Sequence, residues 1–166
     1  SLEESLKALR TDYIDIMLVH DVRREELING EVVMEFLAKA KEQGKIRAHG
    51  FSVHTRQVEI IKSANELNFY DVILVAYNHK GTYSRSSGTI KWDMDMMDNE
   101  LSKAVKNGTG IVAMKTCLCG PCSPREGSPP TYMDAVKWVI NHEFIHTTTT
   151  AMANIEQIDE NLGALG

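Results

Sequence analysis

The sequence predicts an α/β fold: a partial TIM-type (β/α)8 barrel with about five parallel strands and alternating helices. Three observations carry this. First, Thr11 to Asp21 packs Ile14, Ile16, Met17, Leu18 and Val19 into a short run that ends abruptly in His20 and Asp21. Apolar runs of this kind read as parallel strands buried on both faces. Second, strand starts fall near residues 14, 46, 71, 110 and 145. These intervals suit consecutive βα units, each with its crossover helix. Third, the turn after the first strand, Asp21-Val22-Arg23-Arg24, holds no glycine. A doubly wound dinucleotide-binding sheet usually opens with a glycine-rich turn there. A barrel of eight units needs about 250 residues. The 166 residues here read as one domain, 1–166, matching the last five units preceded by the helix of the third.

Ser1 caps the first helix, Glu4 completes a capping box, and Leu2, Leu6 and Leu9 share a face. Opening at Ser1 reads as a processed start or as a piece of a longer protein. The strand at 14–20 leads into a charged loop, Asp21 to Gly30, whose Arg23-Arg24-Glu25-Glu26 run reads as solvated. Residues 31–43 form a helix with Val33, Phe36, Leu37 and Ala40 at helical spacing. Gly44 stops it, and Lys41 and Lys45 lie near the negative end of its dipole. A strand at 46–52 leads through Val53 and His54 to Thr55, the expected cap of a helix at 56–67 that faces inward with Val58, Ile61, Ala64 and Leu67. The strand at 72–77 ends in Asn78 and His79.

The segment 80–95 reads as irregular and polar. Met94, Met96 and Met97 read as packing at the start of a helix at 98–107, which Asn107-Gly108 ends. The strand at 111–114 delivers Lys115 and Thr116. A loop at 117–130 holds all three cysteines and all four prolines. A helix at 131–143, a strand at 145–150 and a capped helix at 154–165 complete the pattern.

A net charge of −5 with no basic face argues against nucleic acid as a partner. No apolar run approaches the roughly 20 residues of a membrane helix, and no basic leader precedes the first helix. Three cysteines, an odd number in one loop, do not make a disulfide framework. A reducing cytoplasm is the expected setting. The Cys117-Leu118-Cys119-Gly120-Pro121-Cys122 spacing could offer three thiolates to a metal or cluster. With no fourth cysteine in the chain, free thiols are the simpler reading, and no metal is assigned.

Reactive side chains gather at strand ends: His20 and Asp21, Ser52 and His54, Asn78 and His79, then Lys115. In a barrel these ends share one rim, where barrel enzymes place their sites. Three chemistries compete for them. His20, His54, His79 and Asp21 could bind a divalent metal, as in a barrel hydrolase, although no HxH or HExxH spacing is present. Lys115 could act as a Schiff-base nucleophile if a dry setting lowered its pKa. A nicotinamide cofactor could supply hydride, with the protein orienting substrate and moving a proton.

The order Leu2…Leu6…Leu9, Asp12-Tyr13-Ile14-Asp15, His20 resembles the aldo-keto reductase family, where a helix leads into a strand ending in the active-site histidine. Residues 31–52 are similar to the family's next helix and strand, which close on Gly-x-Ser. Residues 71–78 resemble the strand ending in Tyr-Asn, residues 110–115 the strand after it, and residues 145–165 the last strand and helix. Departures stand beside these matches: Val53 where the family commonly has Asn, Leu74 where a Gln is frequent, and Ala151 in place of a glycine. The family's catalytic Asp, Tyr and Lys belong to its first three βα units, which this sequence does not contain. Among the tyrosines only Tyr77 falls near the expected rim.

The resemblance implies an NAD(P)H-dependent carbonyl oxidoreductase in which His20 orients the carbonyl. Ser52 would reach the nicotinamide amide, Asn78 would contribute at the Tyr-Asn strand end, and Lys115 would lie along the cofactor, NADP or NAD. Met152, Ala153, Asn154 and Gln157, with Glu160 and Asn161, would face its adenosine end. A helix N-terminus favours phosphate there on physical grounds as well. The implied partners are a small carbonyl substrate and either a second copy of the chain or the N-terminal half of a barrel. With most of the catalytic set absent, weak or no turnover is expected of the chain alone. A catalytically silent barrel fragment or assembly module is the alternative.

Overall fold

The computed structural model describes residues 1–24 and 29–165. Glu25 and Glu26 of the expected solvated loop lie outside the described residues. Helix α1 (Leu2–Leu9) starts at the Ser1–Glu4 capping box and ends at Arg10 in the left-handed region. Strand β1 (Ile14–Val22) follows, then α2 (Glu31–Glu42), β2 (Ile46–Val53), α3 (Gln57–Leu67) and β3 (Val72–Ala76). A short hairpin comes next, β4 (Thr82–Arg85) and β5 (Gly88–Lys91), then α4 (Met94–Lys106) and β6 (Gly110–Met114). The order closes with α5 (Tyr132–Ile140), β7 (Thr147–Thr149), α6 (Ile155–Leu162) and a 3-10 turn (Gly163–Leu165).

The main sheet runs β1-β2-β3-β6-β7, and every neighbouring pair is parallel. Its spatial order is its sequence order, with no switch point of the kind that marks a doubly wound sheet. It is therefore an arc of a (β/α)8 barrel. Gly50 in β2 is fixed by close approach: a Cβ there would lie 1.8 Å from the Val72 carbonyl oxygen.

The helices close over the strands in one apolar core. Leu6 of α1, Leu37 of α2, Ile60 and Ile61 of α3, Leu101 of α4 and Val139 of α5 meet Phe51, Ile73 and Ile111. Each such side chain, fully buried, contributes roughly 1.5–3 kcal/mol.

Several expectations change on contact with the structure. The first strand is not buried on both faces: Ile16 is 46% exposed, because β1 is an edge strand paired only with β2. Leu9 and Phe36 also face solvent, so the apolar faces of α1 and α2 extend past the area the sheet can cover. Thr55 does not cap α3, which starts at Gln57 after Arg56 in the left-handed region, with no side-chain cap bond. Gln57 is drawn inward instead, its amide donating to the Ala76 carbonyl. Helix α4 begins four residues earlier than expected because Asp93 caps it, accepting from the Met96 N–H. Met97 and Met94 pack inward as expected, whereas Met96 is exposed. The irregular stretch after Lys80 is the β4–β5 hairpin.

Candidate active site at the C-terminal rim

His20, Ser52, Lys115 and Thr150 lie at or just beyond the C-terminal ends of β1, β2, β6 and β7. His20 is exposed, and its ring stands edge-on to that of His54 with centroids 5.9 Å apart. Asp21 turns the chain in the left-handed region (φ 52), and its N–H donates to Ser52 Oγ at 2.8 Å. Ser52 is buried, and in this structure its hydroxyl ties β1 to β2. The Arg23 guanidinium, hydrogen-bonded to Asp21, holds that carboxyl below its usual range.

Asn78 is fully buried and serves as a staple. Its amide donates to the carbonyls of Thr82 and Lys115, and its oxygen accepts from the N–H groups of Lys80 and Thr82. This fixes the hairpin against the end of β6. The hairpin brings in a tyrosine that sequence reasoning missed. Tyr83 is buried, its hydroxyl donates to the His54 carbonyl at 2.6 Å, and the Lys115 ammonium lies 5.4 Å from its ring centroid. Burial, ahead of all other influences, pushes the Tyr83 phenol up. The signal was present in the alternation of Thr82 to Arg85 followed by Ser86-Ser87-Gly88.

Tyr77 follows the rim end of β3 as expected, but its side chain turns away from the rim. It is fully buried and donates to Asp98 Oδ1 of α4 at 2.6 Å, and burial pushes its phenol far up. A side chain with its hydroxyl committed to the helix layer cannot serve a rim substrate.

The remaining expected residues gather around a cleft. A cavity of about 720 Å³ is lined by Lys115, Thr116, Cys117, Tyr132, Thr150 and Ala151. A second, about 190 Å³, shares Cys117, Tyr132, Thr150 and Ala151 with it and adds Gln157, Glu160 and Asn161. Met152 lines a neighbouring groove of about 310 Å³ with Ile158 and Asn161. Ala153 and Asn154 serve the cap of α6: the Ala153 N–H donates to Gln157 Oε1, and Asn154 Oδ1 accepts from the Gln157 N–H. The structure thus joins Lys115 to Gln157, Glu160 and Asn161 across the cleft, while His20, Ser52 and Asn78 lie outside these cavities.

Within the cysteine loop, Cys117 lines the cleft, whereas Cys119 faces His79. Cys119 Sγ lies 3.5 Å from His79 Nδ1, and burial is the leading influence that raises the thiol and lowers the imidazole. Among the described residues no three His, Cys, Asp or Glu side chains are grouped to hold a metal ion. The geometry therefore does not assemble the metal-hydrolase set of His20, His54, His79 and Asp21.

The model of the aldo/keto reductase family matches residues 1–134. The chain belongs to that family. Two similar curated proteins are a methylglyoxal reductase, DkgB, of Salmonella typhi and the uncharacterized oxidoreductase YcsN of Bacillus subtilis. DkgB is 46% identical over 55 residues, covering 33% of this chain and 21% of that one. YcsN is 46% identical over 52 residues, 31% and 17% of the two chains. Among solved structures, the holo form of aldo-keto reductase AKR11C1 from Bacillus halodurans superposes with a TM-score of 0.72 at 20% identity, covering 99% of this chain and 57% of that one. The thermostable aldo-keto reductase Tm1743, in complex with the inhibitor epalrestat, gives 0.65 at 26% identity, covering 99% and 59%. An aldo-keto reductase of Bombyx mori in complex with NADP gives 0.58 at 16% identity, covering 98% and 56%. The chain thus spans less than two thirds of these relatives, and the family's arc of strands is what it shares with them.

The cleft's donor set fits an elongated, phosphate-bearing ligand. It offers the hydroxyls of Tyr132 and Thr150, the amides of Gln157 and Asn161, and one cation, Lys115, with Glu160 as an acceptor for a ligand's hydroxyls. No helix among the described residues is long and apolar enough to cross a membrane.

Proposed function

We propose that this chain forms the C-terminal part of an NAD(P)H-dependent carbonyl oxidoreductase. The observation that carries the reading is the assembly of Lys115, Gln157, Glu160 and Asn161 along one cleft at the strand ends of a family barrel arc. When bound, a nicotinamide supplies hydride. The chain's own residues bind and orient. Lys115 would hold the cofactor along the cleft, Gln157, Glu160 and Asn161 would bind its adenosine end, and Met152 with the Ala153–Asn154 cap would border that end. Ser52 and Asn78 hold the strand ends that frame the nicotinamide side, and His20, exposed on the rim, orients the carbonyl of a small substrate.

Proton delivery is the missing part. Reduction needs an acid at the developing alkoxide. Tyr83 is beside Lys115, yet its hydroxyl is spent on the His54 carbonyl and its ring is buried. The chain alone is therefore a weak or inactive catalyst, completed by an N-terminal barrel half or by a second copy along the edges of β1 and β7. Free thiols at Cys117, Cys119 and Cys122 suit a reducing cytoplasm as the working compartment.

The test pairs binding with turnover. Nicotinamide fluorescence of NADPH and NADH should saturate with the chain in the high micromolar to millimolar range. Oxidation of either by a panel of aldehydes and ketones should be negligible until the three N-terminal units of a related barrel are supplied. Failure to bind at millimolar cofactor would remove the reading. Robust turnover by the chain alone, lost in His20→Ala, would show that a proton donor exists among its own residues.

A further inference from the structure

The wall of the cleft built from the last strand and helix brings no cation to a ligand. No Lys or Arg follows Lys137 in the chain, whereas Glu143, Glu156, Asp159 and Glu160 do. Glu160 lines the cavity of about 190 Å³ beside the neutral amides of Gln157 and Asn161. The cavity of about 720 Å³ has Lys115 as its single charged lining residue among those described. The two cavities share Cys117, Tyr132, Thr150 and Ala151, so they form one cleft with an ammonium toward one end and a carboxylate toward the other. Glu160 forms no ion pair among the described residues.

The start of α6 does not stand in for the absent cation. Asn154 Oδ1 already accepts the Gln157 N–H, and Gln157 Oε1 accepts the Ala153 N–H. Glu156 adds a negative charge to that first turn. A helix N-terminus with its own cap and its own carboxylate has little left to offer a phosphate. The two forms of the nicotinamide cofactor differ at the adenosine ribose, where NAD(H) has a 2′-hydroxyl and NADP(H) a phosphate. A phosphate monoester carries a charge of about −1.5 to −2 at neutral pH. Both forms carry the pyrophosphate, which Lys115 can meet. The additional phosphate finds no second cation along the cleft, and at the Glu160 end it meets a like charge. A carboxylate accepts hydrogen bonds and donates none, so a ribose hydroxyl is what it can hold.

We propose that Glu160 is a specificity-determining residue, giving the cleft a preference for NADH over NADPH by accepting a ribose hydroxyl and repelling a 2′-phosphate. This preference rests on the reading of the cleft as the nicotinamide-cofactor site. Glu160 is exposed, so water and salt screen the repulsion and its effect is a fold-change of about ten, not an absolute barrier.

The experiment titrates the whole chain with NADH and with NADPH, following nicotinamide fluorescence at low and at physiological salt. NADH should bind about tenfold more tightly at low salt, and the gap should narrow as salt is added. Glu160→Gln should reduce the gap to about threefold or less, chiefly through tighter NADPH binding, and Glu160→Lys should reverse it. Glu143→Gln, which removes the same charge on the N-terminal side of β7, should leave the ratio unchanged. NADPH bound as tightly as NADH or more tightly, or a ratio that ignores Glu160→Gln, would overturn the preference while leaving the oxidoreductase reading in place. Binding of neither cofactor up to millimolar concentration would remove that reading and the preference with it.

Discussion

At the N-terminal ends of the strands, Asp71 accepts both the Lys41 ammonium, at 2.7 and 2.9 Å, and the N–H of buried His49, at 2.9 Å. His49 stacks on Phe69 with centroids 4.4 Å apart, Thr109 donates to the Tyr70 carbonyl, and His146 Nδ1 accepts the Ile111 N–H. Lys45 and Arg47 pair with Glu3 and Asp15. At the C-terminal ends, Lys115 and Arg85 lack carboxylates among the described residues, and Asp21 and Lys115 take left-handed backbone without being helix C-caps, as Arg10 and Asn68 are at the other end. One end of the sheet pairs Lys41, Lys45 and Arg47 with carboxylates, and leaves His49 Nδ1 buried without a partner among the described residues. The other spends Ser52, Asn78 and Tyr83 on the fold but turns Lys115 and the Thr150 hydroxyl to a cleft, where they make sense as binding capacity.

The largest expected effect lies at the matched end. Gly50→Ala would drive a Cβ into the Val72 carbonyl. It should cost about 3 kcal/mol or more, beyond ordinary overpacking because backbone must move, and be seen as loss of the cooperative melting transition. Asp71→Ala comes next. It strands the buried His49 N–H and should cost about 1–3 kcal/mol, read by chemical denaturation, with the rim cleft's ligand binding unaltered below the transition.

Lys115→Gly should act in the opposite sense. Releasing the left-handed strain is worth roughly 1 kcal/mol of stability, yet the same change should weaken NADPH binding at the rim cleft about tenfold or more. A variant that melts higher and binds NADPH more weakly would sharpen the contrast between the two ends. One that melts lower would show that Lys115 serves the fold.

The smallest effect is with pH. His49, His54 and His79 are all held below the ordinary 6.5, burial being the leading cause in each. The unfolded chain therefore takes up protons first on acidification. Their contribution to stability is complete above about pH 6.5 and declines as pH falls from there toward the lower folded values. Denaturation midpoints that rise on acidification through this window would contradict the burial seen here.

Much of this was legible in the sequence, and the parts that were not have physical causes. The spacing of apolar runs foretold the parallel arc, because each crossover helix imposes a minimum interval on the next strand. The run at 14–19 could not show that β1 lies at an edge, since edge position depends on neighbours rather than composition. The hairpin escaped because its strands are four residues long and polar, with Tyr83 the single buried anchor. Tyr77 and Tyr83 could not be told apart by strand ends alone: one hydroxyl is claimed by Asp98 in the helix layer, the other by the His54 carbonyl at the rim. Ser52 and Asn78 stand where polar residues at a strand end meet either a ligand or a neighbour's backbone. Here their bonds run to Asp21, Thr82 and Lys115.

The contrast between the two strand ends is tested most directly by amide shift mapping of the isotope-labelled chain during titration with NADPH. Saturable shifts at Lys115, Thr116, Gln157 and Asn161, with Asp71, His49 and Thr109 unmoved, are the predicted result. Shifts centred on the Asp71 end, or none at any residue up to millimolar cofactor, would contradict it.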